Sequence, residues 1–188
     1  MRKVSIPPPP SRISALSGRR SDLVSASSHR QHAPKAFSFF VITISDSCSR
    51  QEREDLSGPH IIAALEGEHT FVGCTTVPDD KAEIEQAVLS AVLSADCVIT
   101  TGGTGITRRD VTIPSVRPLL DREIVGFGEL FRRLSYDEVG PAALISGALA
   151  GVIDETLVFC LPGSLGAVRL GTELIRLEAG HLLRHARE

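Results

Sequence analysis

The sequence predicts an α/β domain: a mostly parallel central sheet in a three-layer arrangement, with helices on both faces. Three observations predict it. Apolar runs of five to seven residues, too continuous for a half-exposed strand, recur at residues 38–44, 97–101 and 157–161. Segments of helical periodicity separate these runs, so the strands must be joined by right-handed crossovers. Small polar or glycine-rich turns follow the strands, and these turns should all lie along the sheet's carboxyl edge.

Each element has its own warrant. Phe39, Phe40, Val41, Ile42 and Ile44 make the first strand a buried one, and Ser45-Asp46-Ser47 ends it. Residues 50–55 are polar and read as a loop. Ser57 is placed as a helix N-cap with Pro59 in the first turn, and the helix runs through Ile61, Ile62 and Leu65 to about Gly67. Residues 70–77 form a second strand. Pro78-Asp79-Asp80 follows, with either aspartate fit to cap a helix whose apolar face is Ile84, Ala87, Val88, Ala91 and Val92. The third strand runs straight into Gly102-Gly103-Thr104-Gly105. Thr112-Ile113-Pro114 opens a short helix reaching Leu120, and residues 129–134 are a further helical patch. Residues 141–152 are small and apolar, with Ser146, Gly147 and Gly151 among them. A fourth strand at 157–161 opens into Pro162-Gly163-Ser164-Leu165-Gly166, and a last helix covers about 167–184.

The 188 residues suit one domain with an extension, and 42% apolar residues can supply its core. No 18-residue apolar window exists, so no membrane partner is expected. Cys48, Cys74, Cys97 and Cys160 are scattered without a zinc spacing, which reads as incidental thiols in a reducing, cytoplasmic setting. The six histidines form no HExxH or similar cluster, so a His/Cys metal site is not expected. Residues 1–36 stand apart: Pro7 to Pro10, many serines, and seven basic residues against the single acid Asp22. That is a net +6, which leaves −9 on residues 37–188 of a chain whose total is −3. This composition reads as a disordered extension or an upstream start codon. A transit peptide or a nucleic-acid arm shares the basic, serine-rich character, but the segment has no aromatic residue to stack on bases. No nucleic-acid partner is therefore expected.

The glycine loop after the third strand carries the chemistry. Its backbone can take positive φ and bring amide groups close to an anion. Arg108, Arg109 and Asp110 follow at once, a basic pair and an acid suited to a phosphorylated ligand and a metal ion. The loop is neither GxGxxG nor GxxxxGK[ST], and none of the chain's three lysines, Lys3, Lys35 and Lys81, follows it, so a dinucleotide fingerprint is weak and a P-loop is disfavoured.

Six motifs in register then resemble one family. They are residues 100–112 (TTGGTGITRRDVT), 44–46 (ISD), 55–58 (DLSG), 77–79 (VPD), 121–129 (DREIVGFGE) and 161–164 (LPGS). Together they resemble the molybdenum cofactor biosynthesis family of the MoaB/MogA type over about residues 37–186. The resemblance implies a Rossmann-like molybdopterin-binding fold and transfer of an adenylyl group from Mg-ATP to the terminal phosphate of molybdopterin. It also implies a homotrimer, with hexamers in one branch, and a molybdenum-inserting partner acting next. Carried over by motif, Asp79 and Asp110 are the catalytic and Mg2+-holding aspartates. Ser45, Asp46, Gly102, Gly103, Thr104, Gly105, Ser146, Pro162, Gly163 and Ser164 are the substrate-binding residues. Two positions depart from the family: Gly147 stands where an arginine is frequent, and Gly166 where a lysine is. Their absence keeps a non-catalytic molybdopterin carrier as the alternative.

Overall fold

The computed structural model describes residues 34–188, which form one compact unit. The extension expected over residues 1–36 lies, for residues 1–33, outside the described residues. Among the described residues a six-stranded sheet has the order β2-β1-β3-β6-β5-β4. The strands are β1 (Ser38–Ile44), β2 (Thr70–Val77), β3 (Cys97–Thr101), β4 (Arg122–Glu123), β5 (Leu149–Ile153) and β6 (Thr156–Leu161). β2, β1, β3 and β6 are mutually parallel. β5 and β4 complete the sheet in antiparallel pairing.

The expected parallel sheet is thus present, and two strands join it that sequence reading left unassigned. β4 is two charged residues long and carries no apolar signal. β5 is a hairpin partner of β6, turning through Asp154 at φ 52° and Glu155. That turn has none of the usual Asn-Gly or Gly-Gly signals of a two-residue hairpin.

The helices are α1 (Asp46–Ser49), α2 (Ser57–Leu65), α3 (Lys81–Val92), α4 (Thr112–Val116), α5 (Val125–Val139) and α6 (Leu165–Ala186). On one face, Ile84, Val88 and Ala91 of α3 join Ile42, Ile44, Val98, Val158 and Cys160 in a buried cluster that also takes in Val116 of α4. The alternate strand positions point the other way. There Phe127 of α5 meets Phe159 edge-on at 5.0 Å, and Gly171 lets α6 lie against Leu161. Each fully buried side chain of this kind contributes roughly 1.5–3 kcal/mol. Both faces being covered is why β1, β3 and β6 read as unbroken apolar runs, whereas the edge strand β2 alternates exposed and half-buried residues. Cys97 and Cys160 are fully buried; burial pushes both thiols up, Cys160 to about 12, so neither is a reactive thiolate.

One cap differs from expectation, and a second is resolved between two candidates. Ser57 is the first residue of α2 rather than its cap, and no side chain at Leu56 bonds the helix. Asp55 serves instead, accepting from the Ser57 N–H at 2.9 Å and the Gly58 N–H at 3.1 Å, while the Thr43 hydroxyl donates to it at 2.6 Å. For α3 the cap is Asp80, which accepts from Ala82 and Glu83 N–H groups. Asp79 is thereby released from a capping role.

Asp96 ties the start of β1 to the end of α6. It accepts from the Ser38 N–H and hydroxyl, both at 2.7 Å, and pairs with Arg187. Burial by itself would push this carboxyl up, but Ser38 and Arg187 outweigh it and hold the group below its ordinary value. A depressed folded value contributes stability that is present above the ordinary carboxylate range and lost as pH falls through the folded value. Asp96→Ala is therefore expected to cost about 1–3 kcal/mol at pH 7 and to lose part of the wild type's acid-limb decline below about pH 4. Denaturant titrations at pH 7 and pH 3 check this; an equal cost at both would refute the linkage.

Candidate active site

The chain leaves β1, β2, β3 and β6 on the same sheet edge. β1 connects outward to β2 on one side and is flanked by β3 on the other, which opens a crevice at the point where strand order reverses. A crevice of about 540 Å3 lies there. Its walls come from the ends of β1 and β3, the Pro78-Asp79 turn, the loop around Asp110, and Gly163 with Ser164. The three ligand-prone turns expected after β1, β3 and the strand now numbered β6 do meet along one edge.

The glycine loop owes its shape to close backbone contacts. Gly102 has φ 102°, and a Cβ there would overlap the carbonyl oxygen of Ile44. Gly103 has φ 60°, and a Cβ would come within 2.8 Å of Asp79 Oδ1. Thr112 staples the loop, its N–H donating to the Gly103 carbonyl at 3.0 Å and its hydroxyl to the Gly102 carbonyl at 2.8 Å. The Gly102 N–H donates to the Leu161 carbonyl at 3.0 Å. That amide is occupied, so the cradle expected from residues 102–105 does not include it. Gly102 and Gly103 line the crevice; Thr104 is buried beneath the loop, and Gly105 backs onto Asp110.

Asp46 and Asp79 clasp each other. The Asp46 N–H donates to Asp79 Oδ2 at 3.0 Å, and the Asp79 N–H donates to Asp46 Oδ1 at 3.2 Å. Asp79 faces the crevice, and Asp46 supports it from behind. Burial pushes the Asp79 carboxyl up. The Asp46 N–H and Arg109 pull it down, and the charges of Asp46 and Asp110 add to the rise. Asp110 behaves oppositely. Burial raises it, but the Thr107 hydroxyl at 2.6 Å, the Thr107 N–H at 2.8 Å and the Gly105 N–H leave it below its ordinary value. The crevice thus presents two carboxylates, one strongly solvated by donors and one held against its preference.

Ser45 lines the crevice and accepts from the Cys48 N–H as cap of α1, a four-residue helix that the polar run hid. Gly163 and Ser164 line it too, with Ser164 capping α6 and the Gly163 carbonyl accepting from the Ser57 hydroxyl at 2.9 Å. Pro162 is outside the lining, where its carbonyl accepts from the Thr101 hydroxyl at 3.3 Å. Ser146 lies in a separate hollow of about 70 Å3 with Glu138 and Gly166, joined to the crevice only through Ser164. Arg53, Glu54, Thr107 and Leu165 line the crevice without having been expected there, and Arg109, expected only as one of a basic pair for a phosphorylated ligand, lines it as well. The DLSG motif at 55–58 was a signal for the Arg53 side, since it anchors that loop through Asp55.

Gly147 and Gly166 differ sharply. A Cβ on Gly147 would overlap the Thr104 carbonyl oxygen and come within 2.9 Å of Ile113 Cδ1. A Cβ on Gly166 would have only Glu138 Oε2 nearby, at 4.0 Å.

Comparison with known proteins places this arrangement. Residues 40–180 match the family model described as "Probable molybdopterin binding domain". A molybdopterin adenylyltransferase of Pyrococcus furiosus is 52% identical over 167 residues, 85% of this chain and 97% of that one. The molybdenum cofactor biosynthesis protein B of Bacillus subtilis is 43% identical over 170 residues, 88% of this chain and 99% of that one. Among solved structures, the tungsten cofactor synthesizing protein MoaB from Pyrococcus furiosus superposes with a TM-score of 0.79 at 53% identity, covering 83% of this chain and all of that one. With fold, strand-edge crevice and sequence in agreement, the chain belongs to the molybdopterin-binding domain family of molybdenum cofactor biosynthesis proteins.

Proposed function

We propose that the chain is a molybdopterin adenylyltransferase. The terminal phosphate oxygen of molybdopterin attacks the α-phosphorus of ATP. The bond from that phosphorus to the oxygen bridging to the β-phosphate breaks, and pyrophosphate leaves with the electron pair. The observation that carries this reading is the convergence of Asp79, Asp110, Arg53 and Arg109 on one crevice in a chain 52% identical to a protein of that name. Catalysis of this class is mainly positioning and electrostatics. Arg53 and Arg109 offset phosphate charge from two sides, and Gly103 allows close approach. Asp79 and Asp110 would hold Mg2+, which supplies further neutralisation of phosphate charge when bound. The donor set fits such a cation. Asp110 is an ionised oxygen donor, and the surplus negative charge around Asp79 is what a cation relieves. Among the described residues no three acidic, His or Cys side chains form a metal cluster, so any further ligands to the cation would have to be water or phosphate oxygens. Ser45, Gly163 and Ser164 line the pocket walls, and Asp46, Gly105 and Pro162 support them.

Purified protein with molybdopterin and Mg-ATP should release one pyrophosphate per adenylylated pterin. A second reading, a carrier that binds molybdopterin without adenylylating it, is favoured by the absence of a cationic side chain at Gly147 and Gly166. Tight pterin binding with no pyrophosphate would establish that reading instead. The assembly is a homotrimer, with a hexamer as the other outcome of sedimentation, and a molybdenum-inserting protein in the cytoplasm takes the product. Deleting residues 1–36 should change kcat by less than about twofold, and a tenfold loss would refute the reading of this segment as one that catalysis does not need.

A further inference from the structure

Beyond the crevice, α6 carries a pair of side chains that the function does not use. His181 and His185 stand one turn apart, with ring centroids 4.7 Å apart and planes inclined at 70°. Their Nε2 atoms face each other at 3.0 Å. The opposite nitrogens each face a carboxylate: His185 Nδ1 lies 3.2 Å from Glu188 Oε2, and His181 Nδ1 lies 3.6 Å from Glu178 Oε2. Glu188 is itself held by the Arg184 Nε–H at 2.9 Å. Both imidazoles reach the surface, with side chains 25% and 45% exposed.

The placement of protons follows from these partners. Glu188, 3.2 Å from His185 Nδ1, favours hydrogen on that nitrogen and turns the His185 Nε2 lone pair toward His181. With hydrogen on His181 Nε2 the two rings share an N–H···N bond at 3.0 Å. A metal cation can replace that hydrogen and take both Nε2 atoms as ligands. With bonds of about 2.1 Å to each nitrogen, a separation of 3.0 Å corresponds to an angle of about 90° at the cation. That is the cis angle of octahedral or tetragonal coordination rather than the tetrahedral one. Imidazole donors in that geometry suit the late first-row divalent ions. The Nδ1 carboxylates occupy the supporting positions found behind metal-bound histidines.

We propose that His181 and His185 form a surface site for a late first-row divalent cation of the nickel or copper type. The two Nε2 atoms are ligands, and Glu188 and Glu178 are positioning residues. Among the described residues no group of three such side chains converges, so water supplies the remaining ligands. The site lies on α6, and its occupancy is independent of adenylylation.

The test uses the full chain, stripped with a chelator and titrated calorimetrically with NiCl2 in a non-coordinating buffer. One equivalent should bind in the presence of excess Mg2+. That equivalent should be lost in His181→Gln and also in His185→Gln, and should weaken about tenfold or more in Glu188→Gln. Melting curves of the apo variants, matching wild type, show that loss of binding is not loss of fold. Binding that survives either histidine substitution would overturn the proposal. So would a wild-type chain that takes up no nickel.

Discussion

An Asp110→Asn variant is expected to lose on the order of 10²–10³-fold in kcat while binding molybdopterin within about threefold of wild type. Asp79→Asn should lose turnover to a similar degree, yet the two should differ in stability. Asp110 is held below its ordinary value, so its ionised form is favoured by folding; that contribution is present at neutral pH and lost in acid. Removing the charge should therefore lower the melting temperature at pH 7. Asp79 is raised above its ordinary value, so the folded state binds its proton more tightly than the unfolded chain does. Its charge opposes folding at neutral pH, and the opposition fades as pH falls. Asp79→Asn should leave the melting temperature at pH 7 unchanged or raise it. The same sign governs rate: if ionised Asp79 is required, turnover should fall on the acid side at a pH above an ordinary aspartate's 3.8. Pyrophosphate release and thermal melts from pH 4 to 8 check both statements. Full turnover in either variant would remove that residue from the active site. A clear destabilisation by Asp79→Asn would contradict its electrostatic description.

The second large effect concerns Gly147. Replacing it with arginine, the residue frequent in the family, would look like the repair of a missing phosphate contact. The geometry gives the opposite expectation, because any Cβ at 147 overlaps the Thr104 carbonyl oxygen. Backbone cannot swing aside as a side-chain tip can, so the glycine loop or the entry to β5 must move. Overpacking of this kind costs about 1–3 kcal/mol, and displacement of Thr104 would carry Gly103 with it. Gly147→Ala and Gly147→Arg should therefore lose similar stability and activity, since the clash arises at the first side-chain atom. Gly166→Lys meets open space and should stay within about 0.5 kcal/mol of wild type. Chemical denaturation and adenylylation rates decide the matter. A stable, active Gly147→Ala would show that the two backbones are not so tightly joined.

The parallel half of the sheet was legible because burial on both faces writes itself as uninterrupted runs, as in residues 97–101 and 157–161. β4 and β5 were not, since one is two charged residues and the other is small side chains turning through an unremarkable Asp-Glu pair. The crevice showed the same division. Turns after parallel strands announce Ser45, Gly103 and Gly163 by sequence position. Arg53, Thr107 and Leu165 reach the crevice from a loop, a turn and a helix start. Asp46 is a further case: its residue type suggests a ligand contact, yet its oxygen is engaged by the Asp79 N–H.

The reversal of direction at β5 has an architectural consequence. The parallel strands meet the crevice with their exits, and each exit is fixed by the register of the strand behind it. β5 runs the other way, with Leu149 opposite Cys160, so it meets the same rim with its entrance. Residues 146–148 arrive from α5 before any strand register constrains them. That flank of the rim is the one that insertions or deletions between α5 and β5 can reshape while every parallel strand keeps its partner.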